Sequence, residues 1–304
     1  MSEDPQVLPV ADWSAREHAH TRRAETLLAG HQDRAARGIK HPVEDFLFEY
    51  YPFRVSALTR WHPGHGVVLV GDDHFLDRRD YVRSDFGITL DTGAVLEHRH
   101  RTVRQAHTLL VAVSRRRGEF GCFGLHEWAM VYGLDQHQVR HPTVPWRFDP
   151  DRIRQIVDER GLRCTHVDAY RFFTPDAAER NPKALTRAGQ VDDDQPGCLH
   201  VGMDLYRWAE RLSPLIGSEL LLDCFELARR IRTLDMAASP YDLREFGLDP
   251  VPIETPRGRA EYVTRQQQFA AEAAALRQRL IVAIEALPLE LTRAAAAGVA
   301  AEPR

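Results

Sequence analysis

The sequence predicts a mainly α-helical protein, built as a single helical domain with a few short β elements. Three observations support this prediction. The Ala-rich segment 254–288 has the composition of one long helix, and segment 101–117 repeats apolar residues at helical spacing. A short β-branched run between glycines, within 64–75, is typical of a strand. We find no internal repeat and no clear linker, which favours one domain.

The first half of the chain combines polar helices with one strand. Residues 14–38 are polar and helix-forming, so segment 1–39 is predicted to be a polar helix or arm. Segment 41–64 is rich in aromatic residues and predicts a helix followed by a proline-terminated turn, with Pro42 in its first turn, where the missing N–H is harmless. A strand within 64–75 and a helix over 101–117 follow.

The second half is the more helical one. A helix over 150–161 is expected to stop at Gly161, and a strand is expected over 162–173. Helices over 200–212 and 218–236 are separated by Ser213-Pro214 and Gly217, and Ser218 is the expected N-cap of the second. The catalytic domain is assigned to 40–290, and 291–304 to a frayed tail.

Composition limits the cellular setting. The 304 residues include 43% hydrophobic and 28% charged residues, which is typical of a globular protein with a sizeable core. No apolar run approaches 18 residues, and the acidic N-terminus lacks the pattern of a signal peptide, so we expect a cytoplasmic protein without a membrane partner. The four scattered cysteines are then reduced thiols. A net charge of -4 argues against broad electrostatic binding to nucleic acid.

Two segments share one pattern of chemically active residues. Each has Gly-Cys, then a histidine, an acid and an aromatic residue: GCFGLHEW contains His126 and Glu127, and GCLHVGMDLYRW contains His200 and Asp204. His200 and Asp204 are four residues apart, so on a helix they share a face and could chelate a metal or act as an acid/base couple. A core histidine satisfied by a nearby carboxylate explains each pair equally well.

The cysteines of these two segments allow one more interpretation. Cys122, His126, Cys198 and His200 could form a Cys2His2 zinc site. Their spacing resembles no common zinc knuckle, so small residues packed near glycine turns are favoured. In the segment 223–235, Asp235 and the i,i+4 pair Glu226–Arg230 are interpreted as ordinary helix-surface charges.

A second polar and aromatic group lies in 41–62. Its acids and rings are close in sequence, which indicates either an active site or a core helix with satisfied polar groups. Basic residues near 115 and 183 form a phosphate-binding patch only if they share one face.

Four blocks carry a resemblance to a known family: HPVEDFLFEYYPFRVSALTRWHPG, FGCFGLHEWAMVYG, QPGCLHVGMDLYRWAERLSP and SELLLDCFELARRIRTLDMAASPYDL. Over roughly residues 40–265 the chain resembles a group of actinobacterial proteins commonly labelled 3-methyladenine DNA glycosylase. The resemblance implies a DNA-repair N-glycosylase, a hydrolase that removes alkylated bases from damaged duplex DNA by water attack and needs no cofactor. Neither a Leu-Pro-Gly-Val-Gly hairpin nor a four-cysteine cluster is present, so no catalytic residue is transferred by motif.

The glycosylase hypothesis needs carboxylates, stacking rings and phosphate contacts. The candidate catalytic residues are Asp204, Glu127, Glu49, His200 and His126. The candidate base-stacking rings are Tyr50, Tyr51, Trp61 and Trp128, and the candidate phosphate contacts are Arg115, Arg116, Lys183 and Arg187.

Two other functions remain open. A metal-dependent enzyme, an oxidoreductase with non-haem iron or a zinc enzyme, would use a His/carboxylate site drawn from His41, His62, His126, His200 and Asp204. A non-catalytic nucleic-acid-binding protein is the third candidate, although it would have little reason to bury so many polar groups.

Overall fold

The computed structural model describes residues 5–289 and confirms a mainly α fold, with 57% of the residues in helices and 6% in strands. The described residues form twelve α-helices: α1 Val10–Ala36, α2 Phe46–Tyr50, α3 Val55–Thr59, α4 Thr92–Ser114, α5 Leu125–Ala129, α6 Pro150–Arg160, α7 Val167–Tyr170, α8 Pro175–Ala178, α9 Gln190–Asp193, α10 Leu199–Leu212, α11 Ser218–Ala237 and α12 Pro256–Glu285.

Helices α10 and α11 are the centre of the core. They are joined by the short connection 213–217 and pack so closely that a Cβ on Gly202 would lie 2.8 Å from Ile231 Cδ1. Helix α12 packs on α10, α11 and α4. This arrangement buries polar and charged residues, His200 and Asp204 of α10 and Arg232 and Asp235 of α11, which need partners there.

Helix α1 packs on α11. Its buried residues include Trp13 and Leu28, and its Arg16 pairs with Glu219 at 2.8 Å. The polar helix predicted in the first 39 residues is therefore packed on the helical core. The predicted tail at 291–304 lies outside the described residues.

A four-stranded sheet lies at the N-terminal side of the fold. Its strands are β1 Gln6–Pro9, β2 Val67–Val70, β3 Tyr81–Ser84 and β4 Gly87–Leu90, in the order β1-β2-β4-β3. β1 is parallel to β2, with Gln6 opposite Val67, and the other pairs are antiparallel. The strand predicted within 64–75 is confirmed over β2.

Helices predicted over 101–117, 150–161, 200–212, 218–236 and 254–288 are confirmed by α4, α6, α10, α11 and α12. The predicted helix after Pro42 is two short helices, α2 and α3. Pro52 lies between them, and proline cannot supply the N–H that a continuous helix would need.

Two local predictions are wrong. The strand expected over 162–173 is replaced by α7, in which the Tyr170 N–H bonds to the His166 carbonyl at 3.0 Å. Ser218 is not an N-cap: its hydroxyl accepts from the His62 N–H and donates to the Arg60 carbonyl, and Gly217 takes the cap position. Both segments make tertiary contacts that outweigh local propensity.

None of the helices in residues 5–289 combines the length and apolar character needed to cross a membrane.

Candidate metal centre and adjoining cavities

A strained turn introduces the first histidine of the site. Phe123 has φ 48° and Gly124 has φ 75°, so two consecutive residues adopt the left-handed region just before α5. Phe123 is not a glycine, and such conformations persist only where the surroundings hold them. At Gly124 a Cβ would lie 3.3 Å from the Tyr262 hydroxyl. The turn directs α5 inward, and His126 and Glu127 become buried.

Three buried side chains from three helices meet in what we call the His–His–Asp cluster: His126 of α5, His200 of α10 and Asp235 of α11. One ligand atom of each lies within 4.8 Å of the others. His126 Nε2 and Asp235 Oδ1 are 2.7 Å apart, yet neither atom has a hydrogen-bond partner within residues 5–289. The contact is an ion pair of two buried groups, and its angles do not meet the geometry of a hydrogen bond.

Charged neighbours hold this cluster in place. Arg232, one turn before Asp235 on α11, donates to Asp235 Oδ2 at 2.9 Å and to Glu127 Oε1 at 2.6 Å. Its guanidinium lies 3.7 Å from the centre of the Phe46 ring. Arg232 thus fixes one oxygen of Asp235 and leaves the other facing His126.

Charge is distributed unequally over the cluster. Burial opposes a charge on His126, but the Asp235 carboxylate outweighs burial and raises the pKa of that imidazole. Burial also opposes ionisation of Asp235, but His126 and Arg232 lower its pKa. Burial, followed by the nearby His126 charge, holds the pKa of His200 well below its usual value, so His200 is a neutral imidazole with one unprotonated ring nitrogen.

A second buried group, the His–Asp–Asp cluster, consists of His166, Asp168 and Asp204. Asp204 accepts from the Tyr51 hydroxyl at 2.8 Å, from His166 Nε2 at 3.1 Å and from Arg207 Nη2 at 2.5 Å. Asp168 accepts from Arg207 and Arg187. Burial would raise the pKa of Asp204, but Arg207, His166 and Tyr51 hold it well below the usual range.

The two clusters are connected through His200. Its ring is 4.5 Å from that of His126, edge to face, and 5.3 Å from that of His166, nearly parallel. The result is a row of three imidazoles with a buried aspartate at each end.

A cavity of about 230 Å³ opens beside the His–His–Asp cluster; we call it the thiol cavity. Two of the three cluster residues, His126 and His200, form part of its wall. The remaining lining residues are Glu119, Phe120, Gly121, Cys122, Leu125, Leu162, Arg163, Cys164, Thr165, Phe173, Gln195 and Cys198. Burial raises the pKa of the Cys122 and Cys198 thiols and that of Cys164 to about 12, so all three are protonated.

A smaller cavity of about 140 Å³, the aromatic cavity, is also bordered by His200. Its rings are Phe46, Tyr50, Phe172 and Tyr241, and its charged residues are Glu127, Arg140, Asp168 and Arg232. The Tyr50 hydroxyl is buried and has no hydrogen-bond partner among the described residues.

The two clusters differ in how well they suit a cation. In the His–Asp–Asp cluster both carboxylates are already compensated by arginines, so a divalent ion would have to compete with two fixed charges. In the His–His–Asp cluster two imidazoles and one carboxylate oxygen converge, and Arg232 orients the carboxylate from behind, as outer partners of metal ligands do. The donor set suits iron or zinc.

The predicted catalytic residues divide between these clusters. His126 and His200 belong to the first and Asp204 to the second, while Glu127 lies between Arg232 and the aromatic cavity. Glu49 is separate from all of them. Its half-exposed carboxylate pairs with Arg140 at 3.0 Å and with Lys40 at 3.7 Å on the surface.

The predicted stacking rings lie in two environments. Tyr50 borders the aromatic cavity, and Tyr51 is buried with its hydroxyl on Asp204. Trp61 and Trp128 are core residues at 1% and 0% exposure, and their indole N–H groups donate to Glu219 and to the Ala238 carbonyl. In this structure neither tryptophan offers a free face to a ligand.

Three of the four predicted phosphate contacts already have partners. Lys183 donates to Asp193, Arg187 to Asp168 and Arg116 to the Asp194 carbonyl. Arg115 is exposed at the end of α4.

The predicted five-residue metal set is not brought together. His62 bonds through Nδ1 to the Tyr81 hydroxyl, and His41 accepts the Val43 and Glu44 N–H groups. Neither belongs to a group of converging ligand atoms in the described part of the chain. The four residues of the Cys2His2 hypothesis do line one cavity, but their ligand atoms do not converge as a group of that kind.

Sequence reasoning missed Asp235, His166 and Asp168. The charge pattern of its segment predicts Asp235 on an ordinary helix surface, although the apolar sequence Met-Ala-Ala after it indicates burial. His166 and Asp168 lie in the segment that was predicted to be a strand. Their His-x-Asp spacing is the signal that could have identified them.

Comparisons of this chain with models of known protein families, with curated proteins and with solved structures gave no match.

Proposed function

We propose that this protein is a metal-dependent oxidoreductase that binds one non-haem iron(II) ion through His126, His200 and Asp235. The observation that carries the proposal is the convergence of one ligand atom each from His126, His200 and Asp235 within 4.8 Å of one another. Two histidines and one carboxylate are the donor set of non-haem iron oxygenases.

The position of the cavity supports an enzyme over a structural metal site. A structural zinc site is closed by four protein ligands, whereas three ligands leave coordination positions open. His126 and His200 both border the thiol cavity, so the open positions would face it. A bound iron(II) would there offer coordination positions to dioxygen and to a substrate held in the cavity.

The cavity lining favours iron over hydrolytic zinc. A zinc hydrolase needs a base close to the attacking water. Among the described residues that line the thiol cavity, the carboxylate is Glu119, and it lies at the exposed rim. Glu127 faces the aromatic cavity and is held by Arg232.

The test is metal analysis of the purified protein. We expect about one iron per chain, lost in His200→Ala and in Asp235→Asn and kept in His141→Ala, a matched control because His141 lines the aromatic cavity instead. Nitric oxide added to the ferrous protein should give the spectrum of an iron–nitrosyl with an open coordination position. Folded wild-type protein that takes up neither iron nor zinc under anaerobic titration would overturn the proposal, and stoichiometric zinc alone would replace iron by a zinc enzyme.

The glycosylase function implied by the resemblance stays a prediction, and the geometry gives it less support. Its candidate carboxylates are enclosed in ion pairs, since Asp204 has three donors and Glu127 has Arg232. Release of free 3-methyladenine from methylated DNA, lost in Asp204→Asn, would favour it.

A further inference from the structure

The rim of the thiol cavity carries two opposite charges that do not pair. Arg163 and Glu119 are both exposed and both line the cavity. Neither side chain has a hydrogen bond or ion pair with any residue of 5–289, and they form no ion pair with each other. Most other arginines around the two clusters are bound to carboxylates, as Arg187, Arg207 and Arg232 are.

Hydrogen bonds fix the Glu119 backbone at this rim. The Glu119 N–H donates to Gln195 Oε1 at 2.8 Å, and Gln195 Nε2 returns a bond to the Glu119 carbonyl at 3.2 Å. Gly197 packs so tightly against this backbone that a Cβ at Gly197 would lie 2.3 Å from the Glu119 carbonyl oxygen. The Arg163 guanidinium lies over Gly121, where a Cβ would be 3.3 Å from Nη1.

Below the rim the cavity is lined mainly by apolar side chains and thiols down to the two histidines, and Thr165 and Gln195 are its polar residues. Four apolar side chains and three cysteines form the walls: Phe120, Leu125, Leu162, Phe173, Cys122, Cys164 and Cys198. The volume of about 230 Å³ is below the 300 to 1,000 Å³ that is typical of sites for drug-sized ligands. The occupant must therefore be small, with an apolar body and a charged end.

We propose that the thiol cavity binds a free α-amino acid with an apolar side chain. Arg163 would bind its carboxylate and Glu119 its ammonium group, and the side chain would point toward His126 and His200. A fork of guanidinium donors matches a carboxylate, and a carboxylate accepts an ammonium group through charge-assisted hydrogen bonds. The assignment of this ligand as the substrate rests on the proposed iron function, whereas its binding does not.

The experiment is calorimetric titration of the full chain with L-leucine, L-methionine and L-phenylalanine, alongside N-acetyl-L-leucine and L-leucine methyl ester. At least one free amino acid should bind more tightly than both blocked leucines. Arg163→Gln and Glu119→Gln should each weaken it by roughly tenfold to a hundredfold, the usual range for a lost hydrogen bond to a charged group. Arg117→Gln, a nearby exposed arginine outside the cavity lining, should leave the affinity unchanged.

The two blocked leucines test which group of the amino acid Glu119 binds and which group Arg163 binds. Glu119→Gln should not affect N-acetyl-L-leucine, which has no ammonium group, and Arg163→Gln should not affect the ester, which has no carboxylate. Iron content is measured on every variant. Wild-type protein that holds iron but binds none of the three amino acids overturns this inference alone, and amino-acid binding by protein that holds no metal supports the site while contradicting the iron function.

Discussion

At the scale of single residues, the interior is defined by how each buried charge is compensated. Arg232 pairs with Glu127 and Asp235, and Arg207 pairs with Asp168 and Asp204. Four buried acids thus share two buried arginines, and Asp168 also pairs with Arg187. Asp194 differs from these. It is 1% exposed, it accepts one bond from Gln190 Nε2, and its Oδ1 has no hydrogen-bond partner within the described residues.

We predict that Asp194 makes stability depend on pH. Burial raises its pKa from 3.8 to about 6, so the folded state holds a proton that the unfolded state releases between pH 4 and 6. Stability is therefore fully present below the unfolded pKa and falls as pH rises through the folded one, by about 3 kcal/mol in all. Asp194→Asn should flatten this decline and be more stable than wild type at pH 7.5, as measured by urea unfolding from pH 4 to 7.5.

The control is Asp192→Asn, a change of the same chemistry at an exposed position two residues away. Its stability should parallel that of the wild type at every pH. If Asp194→Asn also parallels the wild type, Asp194 is ionised in the folded protein and the prediction fails.

At this scale the sequence predicts candidate site residues where a histidine interrupts an apolar block, and the structure buries both His126 and His200. His126 and His200 were both identified in this way, because a polar ring among buried residues needs a partner. The sequence did not predict Asp235 as a site residue, because Asp235 lies on a helix with many exposed charges. A charge pair at i,i+3 spacing has the same sequence pattern whether it faces water or the core. Distinguishing the two requires knowing which face of α11 is covered, which depends on α10 and α12.

At the scale of elements, helix α11 shows the difference between buried and exposed arginines. Arg232 is 3% exposed and pairs with Glu127 and Asp235. Arg230, two residues earlier, pairs with Glu272 across to α12, and about half of each side chain is exposed. The two arginines share a helix and residue type but face opposite environments.

Replacement of each arginine by methionine should separate these environments. Arg232→Met leaves two buried carboxylates without their cation and should lower the free energy of unfolding by about 3 to 5 kcal/mol. Arg230→Met removes an exposed pair and should cost about 0 to 1 kcal/mol. Urea unfolding at pH 7.5 measures both, and equal effects of the two changes would contradict the assigned burial.

The elements that sequence reasoning placed correctly are those with strong local signals. Helices α4, α10 and α12 follow from periodicity or alanine content, and β2 from its β-branched run. Segment 162–173 failed because α7 is held by His166 and Asp168, whose partners are on α10 and in the 183–190 segment. The local sequence of 162–173 cannot predict these hydrogen bonds, because their partners are distant in sequence.

At the scale of the whole molecule, the His–His–Asp cluster joins three elements that are far apart in sequence. Its residues come from α5, α10 and α11, at positions 126, 200 and 235. An ion bound by all three would exist only in the folded state, because the unfolded chain separates them. Metal binding should therefore stabilise the entire fold rather than one loop.

Metal removal should then lower the melting temperature. A ligand present at 100 times its Kd contributes about 2.7 kcal/mol of stability, which for a chain of this size corresponds to a loss of about 5 °C on treatment with a chelator. Readdition of iron(II) under anaerobic conditions should restore the original melting temperature. Differential scanning fluorimetry measures the melting temperature in each state. His200→Ala should melt at one temperature with or without chelator, because it has lost a ligand, while His141→Ala should respond as the wild type does. A chelator-induced shift that persists in His200→Ala would place the ion elsewhere in the protein.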